Sequence, residues 1–172
     1  MKNFALAALM FSILLSLTVP SSATQAKHPD CSAPVYHQFD FWAGDFVVHD
    51  RSGVLQGTNI VTHEYDGCVL QEHWKSADDP QIGTSLSFYD IRTKQYIHFW
   101  VDSWGNTVEL HGHMQGKSMV MQGERLTPDG NLAIERTRWT ALNDRQLNQF
   151  WDYSLDAGKT WKTRLDWIYT RK

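Results

Sequence analysis

The sequence predicts an all-β domain in which about ten antiparallel strands follow one another as an up-and-down meander and close into a barrel. Short runs rich in Val, Ile, Thr, Phe, Tyr and Trp succeed one another after residue 40, without a sustained helical period between them. Short links between successive runs favour antiparallel neighbours. A flat sheet of this length would leave two long exposed edges, and closure into a barrel removes both.

The predicted strands are separated by residues that favour tight turns. Asp66-Gly67 and Gly105-Asn106 are two examples, because Gly and Asn adopt the backbone angles that such turns require. Residues 34–41 are predicted to form a short helical turn that leads into the first strand. The predicted strands are 42–50, 54–65, 68–77, 82–90, 95–104, 106–116, 118–126, 131–142, 145–154 and 161–171.

Residues 1–26 have the pattern of a secretory signal peptide. Lys2 supplies a positive charge, an apolar run follows as far as Val19, and small residues up to Ala26 offer cleavage positions. The run is shorter than the about 20 apolar residues of a membrane-spanning helix. We therefore predict an exported chain, periplasmic or secreted, with 27–172 as a single domain and no membrane insertion after cleavage. An uncleaved N-terminal anchor is the alternative.

Charge and cysteine content narrow the class of partners. The chain has 16 basic and 19 acidic residues, a formal net charge of −3, and no basic cluster. Nucleic acid and anionic lipid are therefore not expected as partners.

Cys31 and Cys68 form an isolated pair without CxxC spacing. In an oxidising compartment such a pair usually forms a disulfide, whereas a metal or catalytic thiol site would be expected to have closer spacing.

The last predicted strand, 161–171, alternates most cleanly between apolar and polar residues. Trp167 and Tyr169 share one face, whereas Arg164 and Asp166 share the other. We predict that the aromatic face lines the barrel and that the polar face meets solvent.

A few polar side chains interrupt strand faces that are otherwise apolar. Glu72 and Gln149 each stand between apolar residues of one face, and Arg136 and Arg138 continue a face that includes Ile134. If these faces line the barrel, the interior is an aromatic cavity with few polar groups, which is typical of a small-molecule pocket. A buried Glu–Arg pair that fixes the core is the alternative. The predicted ligand-binding residues are Glu72, Trp74, Trp100, Arg138, Gln149 and Trp151.

The predicted strand 95–104 is apolar on both faces. Tyr96 and Trp100 lie on one face, and Ile97 and Phe99 lie on the other. Burial on both sides is the simplest explanation. We therefore expect the N-terminal segment, a loop or a second subunit to cover the outer face.

The histidines raise the question of a metal or haem site. His111 and His113 lie two residues apart and share a strand face, as zinc ligands could. Val108 and Leu110 on the opposite face suit the barrel interior, so we predict an exposed histidine pair and no metal or cofactor. His98 is predicted to be buried and hydrogen-bonded, with a haem-ligating histidine as the alternative.

Residues 154–161 match the S-x-D-x-G-x-T-W pattern of an Asp-box, which is known from sialidases. The pattern predicts a hairpin in which Ser154 and Asp156 hydrogen-bond the turn backbone, Gly158 takes a positive φ and Trp161 packs beneath. A single box in a chain of this length does not predict a glycosidase.

Residues 39–46, FDFWAGDF, resemble the opening motif of a bacterial lipocalin-like family known as domain of unknown function 1579. This resemblance covers nearly all of the predicted domain and implies a lipocalin-like, or calycin-like, barrel. Gly44 to Phe46 are similar to the Gly-x-Trp of lipocalins, whose tryptophan closes the barrel floor beneath an arginine. Phe46 replaces that tryptophan, and Arg164 and Arg171 are the candidate stacking cations. Further landmarks of the resemblance are Gly67-Cys68, Glu72, Trp74, 83–85, 100–102, 154–161, Tyr169 and Arg171.

The residues favour a binding protein over an enzyme. The sequence has no Gly-x-Ser-x-Gly, HExxH, P-loop or GxGxxG motif. We predict an exported carrier or sensor of a small, partly apolar molecule, working without a cofactor. An isomerase, cyclase or hydrolase that uses Glu72 with Arg138 is the first alternative. A homo-oligomerising interaction module that uses the outer face of the 95–104 strand is the second.

Overall fold

The computed structural model describes residues 31–172, so the predicted signal peptide lies outside the described residues. Ten strands form a closed barrel in which each strand pairs antiparallel with the next and β1 pairs with β10. The predicted all-β, up-and-down barrel is therefore confirmed. No helix within the described range is long and apolar enough to cross a membrane. The strands are β1 Gly44–Asp50, β2 Leu55–Glu64, β3 Val69–Ser76, β4 Ile82–Asp90, β5 Gln95–Asp102, β6 Thr107–Gln115, β7 Ser118–Leu126, β8 Leu132–Asn143, β9 Gln146–Ser154 and β10 Lys162–Arg171.

The N-terminal segment closes one end of the barrel. Two 3-10 turns, Pro34–Tyr36 and Asp40–Trp42, stand where the sequence predicts a short helical turn. Phe39 and Trp42 are buried, and their rings stack with centroids 5.0 Å apart. Both rings pack against Trp139 near the end of β8. We call this the closed end. The opposite end, which we call the open end, carries the β1–β2, β3–β4, β5–β6, β7–β8 and β9–β10 hairpins.

An arginine from the last strand secures the floor of the barrel. The Arg171 guanidinium lies 4.9 Å from the ring centroid of Phe46 and donates hydrogen bonds to the carbonyls of Phe41 and Ala43. Gly44 has a φ of +151°, which favours glycine, and a Cβ atom there would also displace the Arg171 guanidinium. Of the two candidate stacking cations, Arg171 therefore occupies the position over Phe46.

The Cys31–Cys68 disulfide is present, with Cα atoms 5.1 Å apart. Because Cys68 lies between β2 and β3, the bond ties the N-terminal segment to a hairpin of the closed end. The predicted pairing is confirmed. This crosslink holds the floor residues against the barrel independently of their packing.

The outer face of β5 is less covered than the sequence predicts. Phe99 pairs with Leu86 across β4 and β5, and the two side chains remain 41% and 39% exposed. Within residues 31–172 neither the N-terminal segment nor a loop covers them, because that segment fills the floor instead. Within the single chain, the expectation that the N-terminal segment or a loop buries this face is therefore wrong at Phe99.

Candidate functional site

A cavity of about 310 Å³ occupies the half of the barrel nearer the open end. It extends from Glu72 and His98 at its base to Trp104 and Asn106 at its mouth. The other half of the interior is filled by the closed-end aromatic residues. The barrel therefore has a solid floor and a ligand-sized chamber above it. Its aromatic lining consists of Trp74, Trp100, Trp104, Trp151, Trp167 and Tyr169.

Two glycines make room for the indole rings of the chamber wall. A Cβ atom at Gly57 would overlap the Trp74 ring, and one at Gly83 would overlap the Trp100 ring. The indoles can therefore lie flat across the neighbouring strands, which a larger residue would prevent. Trp74 in turn stacks on Trp167 with centroids 5.1 Å apart and an interplanar angle of 15°. Indole faces that border a chamber are surfaces on which another aromatic ring can stack.

Glu72 is a buried carboxyl group at the base of the chamber. It accepts hydrogen bonds from Asn59 Nδ2 at 2.8 Å and from Ser85 Oγ at 2.7 Å. Burial raises the pKa of Glu72 from 4.5 to about 7, because loss of solvent outweighs these two hydrogen bonds. Glu72 can therefore exchange a proton near neutral pH, and it donates a hydrogen bond when protonated.

His98 and Gln149 complete the polar base. Ser87 Oγ lies 2.8 Å from His98 Nδ1, and burial lowers the pKa of this imidazole to about 3, so the ring is neutral. The prediction of a buried, hydrogen-bonded histidine is confirmed. Tyr169 donates to Gln149 Oε1, and the Gln149 amide nitrogen has no acceptor among residues 31–172. His98 and Gln149 thus present neutral polar groups to the chamber beside the titratable Glu72.

A buried carboxylate binds two arginines on the wall formed by strands β7 to β10. The Glu135 carboxylate is fully buried and lies 2.7 Å from Arg125 Nη2 and 2.9 Å from Arg164 Nη2. Trp151 Nε1 donates a third hydrogen bond to it at 2.7 Å. We call these four residues the Glu135 cluster. Two guanidinium groups and one carboxylate leave a net charge of +1 beside the chamber.

The position of Arg164 corrects an expectation. The alternation of the last strand predicts a solvent-facing side chain, but the β9–β10 register shifts between Thr163 and Leu165. This bulge turns the Arg164 side chain toward Glu135 and places its guanidinium 4.7 Å from the Tyr153 ring. Bulges of this kind commonly redirect a side chain next to a functional site.

The structure brings five of the six predicted binding residues together around the chamber, and Arg138 is the exception. Arg138 lies on the outside of the barrel, with its guanidinium 4.7 Å from the Phe150 ring. The prediction assumed that Ile134 faces inward with Arg138, whereas the buried residues of β8 are those that alternate with them. The residues that line the chamber are Glu72, Trp74, Trp100, Gln149 and Trp151.

Arg125 and Glu135 are site residues that the sequence pattern did not predict. One signal could have found them: Trp139 is the bulkiest residue of β8, and burying it places Glu135 and Thr137 inside as well. Arg125 lies on β7 beside Ala133, and its side chain then reaches Glu135. The outer Arg136 is accounted for separately, by its ion pair with Asp152.

Asp102 lies at the mouth, on the opposite side of the chamber from the Glu135 cluster. Its carboxylate accepts from the backbone amides of Trp104 and Asn106, both at 3.0 Å, and from the Gln81 side chain at 2.9 Å. Partial burial opposes its ionisation, but hydrogen bonds from Asn106 and Trp104 prevail and lower the pKa of Asp102. Asp102 is thus a charged group that shapes the β5–β6 turn.

The histidine pair on β6 lies on the outside of the barrel, as predicted. His111 Nε2 is 2.8 Å from Glu109 Oε1, and His113 is exposed. In the described part of the chain, no group of three or more His, Cys, Asp or Glu side chains is arranged to hold a metal ion.

The Asp-box forms the predicted hairpin between β9 and β10. Ser154 Oγ donates to Asp156 Oδ1 at 2.7 Å and accepts from the Gly158 amide, where φ is +85°. Trp161 Nε1 donates to the Gly158 carbonyl at 3.0 Å. These contacts stay within the turn, so the box is a structural element that borders the open end.

The fold and the chamber define a class: closed up-and-down barrels of the lipocalin-like kind, with a solid floor and an internal cavity of ligand size. No family model matches the chain, and no curated protein matches it.

Proposed function

We propose that this protein binds a small, partly aromatic molecule in the chamber and serves as its carrier or sensor outside the cytoplasm. The observation that carries the proposal is the chamber itself: about 310 Å³ of open space walled by indoles above a polar base. Ligand pockets typically measure about 300–1,000 Å³ and combine apolar walls with a few polar groups. The ligand is therefore at the small end of the drug-sized range.

The polar base supports binding rather than simple core packing. A buried polar group that lacks a partner costs about 1–3 kcal/mol in proteins. Glu72 and Gln149 line an open chamber, so water or a ligand can meet their remaining hydrogen-bonding capacity. A polar group of a bound ligand could contact this base while its apolar body packs against the indole walls of the chamber.

Export is part of the proposal. The Cys31–Cys68 disulfide is of the kind that persists in oxidising compartments. The signal-like pattern of residues 1–26 supports the same location.

Fluorescence titration with N-phenyl-1-naphthylamine, a neutral aromatic probe, tests the proposal. The wild-type protein should bind the probe at one site, and Val108→Phe should weaken binding at least about tenfold, because Val108 lines the chamber. Val101→Phe, on the outer face of the adjacent strand β5, is the matched control and should bind as the wild type does. Absence of saturable binding, or equal binding by Val108→Phe when it is shown to be folded, contradicts the proposal.

An enzyme that transfers protons is the second candidate, and one observation favours it. Glu72 titrates near neutral pH at the base of a chamber, as a general acid or base must. Native mass spectrometry of protein from its own host separates the two candidates: an unaltered retained compound supports the carrier. Turnover of that compound, lost in Glu72→Gln while binding persists, would establish the enzyme instead.

A further inference from the structure

We infer that the ligand is a monoanionic aromatic acid whose anionic group lies near the open end, on Arg125 and Arg164, with its ring among the indoles. The inference rests on the proposed function and specifies the ligand class of the same chamber.

The two arginines of the Glu135 cluster have N–H donors that the cluster itself does not use. Arg125 contacts Glu135 through Nε and Nη2, and Arg164 does the same. A guanidinium has five N–H donors, so the Nη1 group of each arginine remains. No acceptor among residues 31–172 meets either Nη1, and both arginines line the chamber. Two donor groups beside the chamber therefore have no protein acceptor among residues 31–172.

The Glu135 cluster carries a net positive charge. Glu135 neutralises one of the two guanidinium groups, and its own oxygens are occupied by both arginines and Trp151. One positive charge remains, which one carboxylate of a ligand would balance. Guanidinium groups bind carboxylates in planar, charge-assisted pairs that are about twice as strong as neutral hydrogen bonds.

The two guanidinium groups are held in place by contacts within the protein. The Arg164 guanidinium is held by Glu135 and lies 4.7 Å from the Tyr153 ring, although its side chain is 36% exposed. Arg125 is 21% exposed and is held by the same carboxylate. The two cations are thus fixed before a ligand arrives, which lowers the entropy lost on binding.

The remaining groups limit the ligand to one negative charge. Asp102 is ionised, its oxygens accept from its own turn and from Gln81, and its negative charge lies across the chamber from the two arginines and disfavours a second anionic group. At the base, Glu72, His98 and Gln149 offer no cation to a second anionic group. A neutral aromatic body between the arginines and the base is therefore the best match.

A purely structural ion-pair cluster is the competing explanation, since buried Arg–Glu–Arg groups also occur in protein cores. The two explanations differ in selectivity. If the cluster is only structural, the chamber should bind an acid and its isosteric amide with equal affinity. If the cluster binds acids, the acid should bind more tightly than the amide.

Isothermal titration calorimetry with naphthalene-2-carboxylate and its isosteric neutral carboxamide tests the inference. We expect the wild-type protein to bind the acid about tenfold more tightly than the amide, or about 1.4 kcal/mol. Arg164→Gln should remove this preference while its circular dichroism spectrum matches that of the wild type, which shows that the barrel is folded. Arg125→Gln should act in the same direction. Arg138→Gln removes an equal charge from the outer surface and should preserve the preference.

The outcomes separate the inference from the proposed function. If the neutral probe binds but the acid is not preferred, or if Arg138→Gln lowers the preference as much as Arg164→Gln, the inference is wrong and the chamber remains a binding site. If neither the probe nor the acid binds, the proposed function is wrong as well.

Discussion

Replacing Glu72 by Gln should make the protein more stable at alkaline pH than the wild type. Glutamine has nearly the shape of a protonated glutamate, so its amide can donate to Ser85 while its carbonyl accepts from Asn59. It removes a carboxylate that must otherwise ionise in a buried site. The perturbation thus isolates the cost of that ionisation.

The magnitude follows from the folded-state pKa. A rise from 4.5 to about 7 corresponds to about 3 kcal/mol, at about 1.4 kcal/mol for each pH unit. Below pH 4.5 Glu72 is protonated in both states and lowers stability in neither. Between pH 4.5 and 7 the unfolded chain releases the proton first, so the free energy of unfolding falls. Above pH 7 the full cost persists in the wild type and is absent in the variant.

Denaturant unfolding of the disulfide-bonded protein at several pH values between 4 and 8 measures this effect. The stability difference between Glu72→Gln and the wild type should grow by about 3 kcal/mol in favour of the variant from pH 4 to pH 8. Glu124→Gln, at an exposed position of β7, is the control and should show a nearly constant difference. A constant difference for Glu72→Gln would refute the argument that burial governs the ionisation of Glu72.

Three further predictions concern the barrel itself. Reducing the Cys31–Cys68 bond, which spans 37 residues, should lower the free energy of unfolding by about 4 kcal/mol; an unchanged denaturation midpoint in reductant would contradict this. Gly112→Ala should destabilise the barrel by at least about 1–3 kcal/mol, because its Cβ would overlap the backbone of β7; wild-type thermal stability would exclude that overlap. Changing His111 and His113 together to Ala should leave the circular dichroism spectrum and melting temperature nearly unchanged, since both lie outside the barrel.

The strands could be predicted from the sequence because turn residues interrupt β-rich runs at every reversal. Closure could be predicted as well, since a ten-stranded meander needs a partner for its first and last strands. The exposure of the outer face of β5 could not be predicted from the sequence. The predictions for Ile97 and Phe99 assumed that apolar residues are buried, but folded proteins expose much apolar surface, and Phe99 is an example.

The residues of the site could be predicted where the alternation of a strand is clear, and not elsewhere. Gln149 and Trp151 belong to a strand whose alternation is clear, and they line the chamber. On β8 both faces mix apolar and charged residues, so the sequence alone favours the wrong face and assigns Arg138 to the interior. The direction of Arg164 depends on a bulge, and one inserted residue leaves almost no trace in a pattern of period two.

The pairing of β1 with β10 has a consequence for the order in which the protein is made. Strand β1 cannot find its second partner, nor Phe46 its covering guanidinium, until Arg171 has been synthesised. A nascent chain that lacks β10 has two unpaired edges and an unsecured floor, and such edges invite aggregation. Barrel closure is therefore a late, post-translational event, since its last partner strand lies at the end of the described chain.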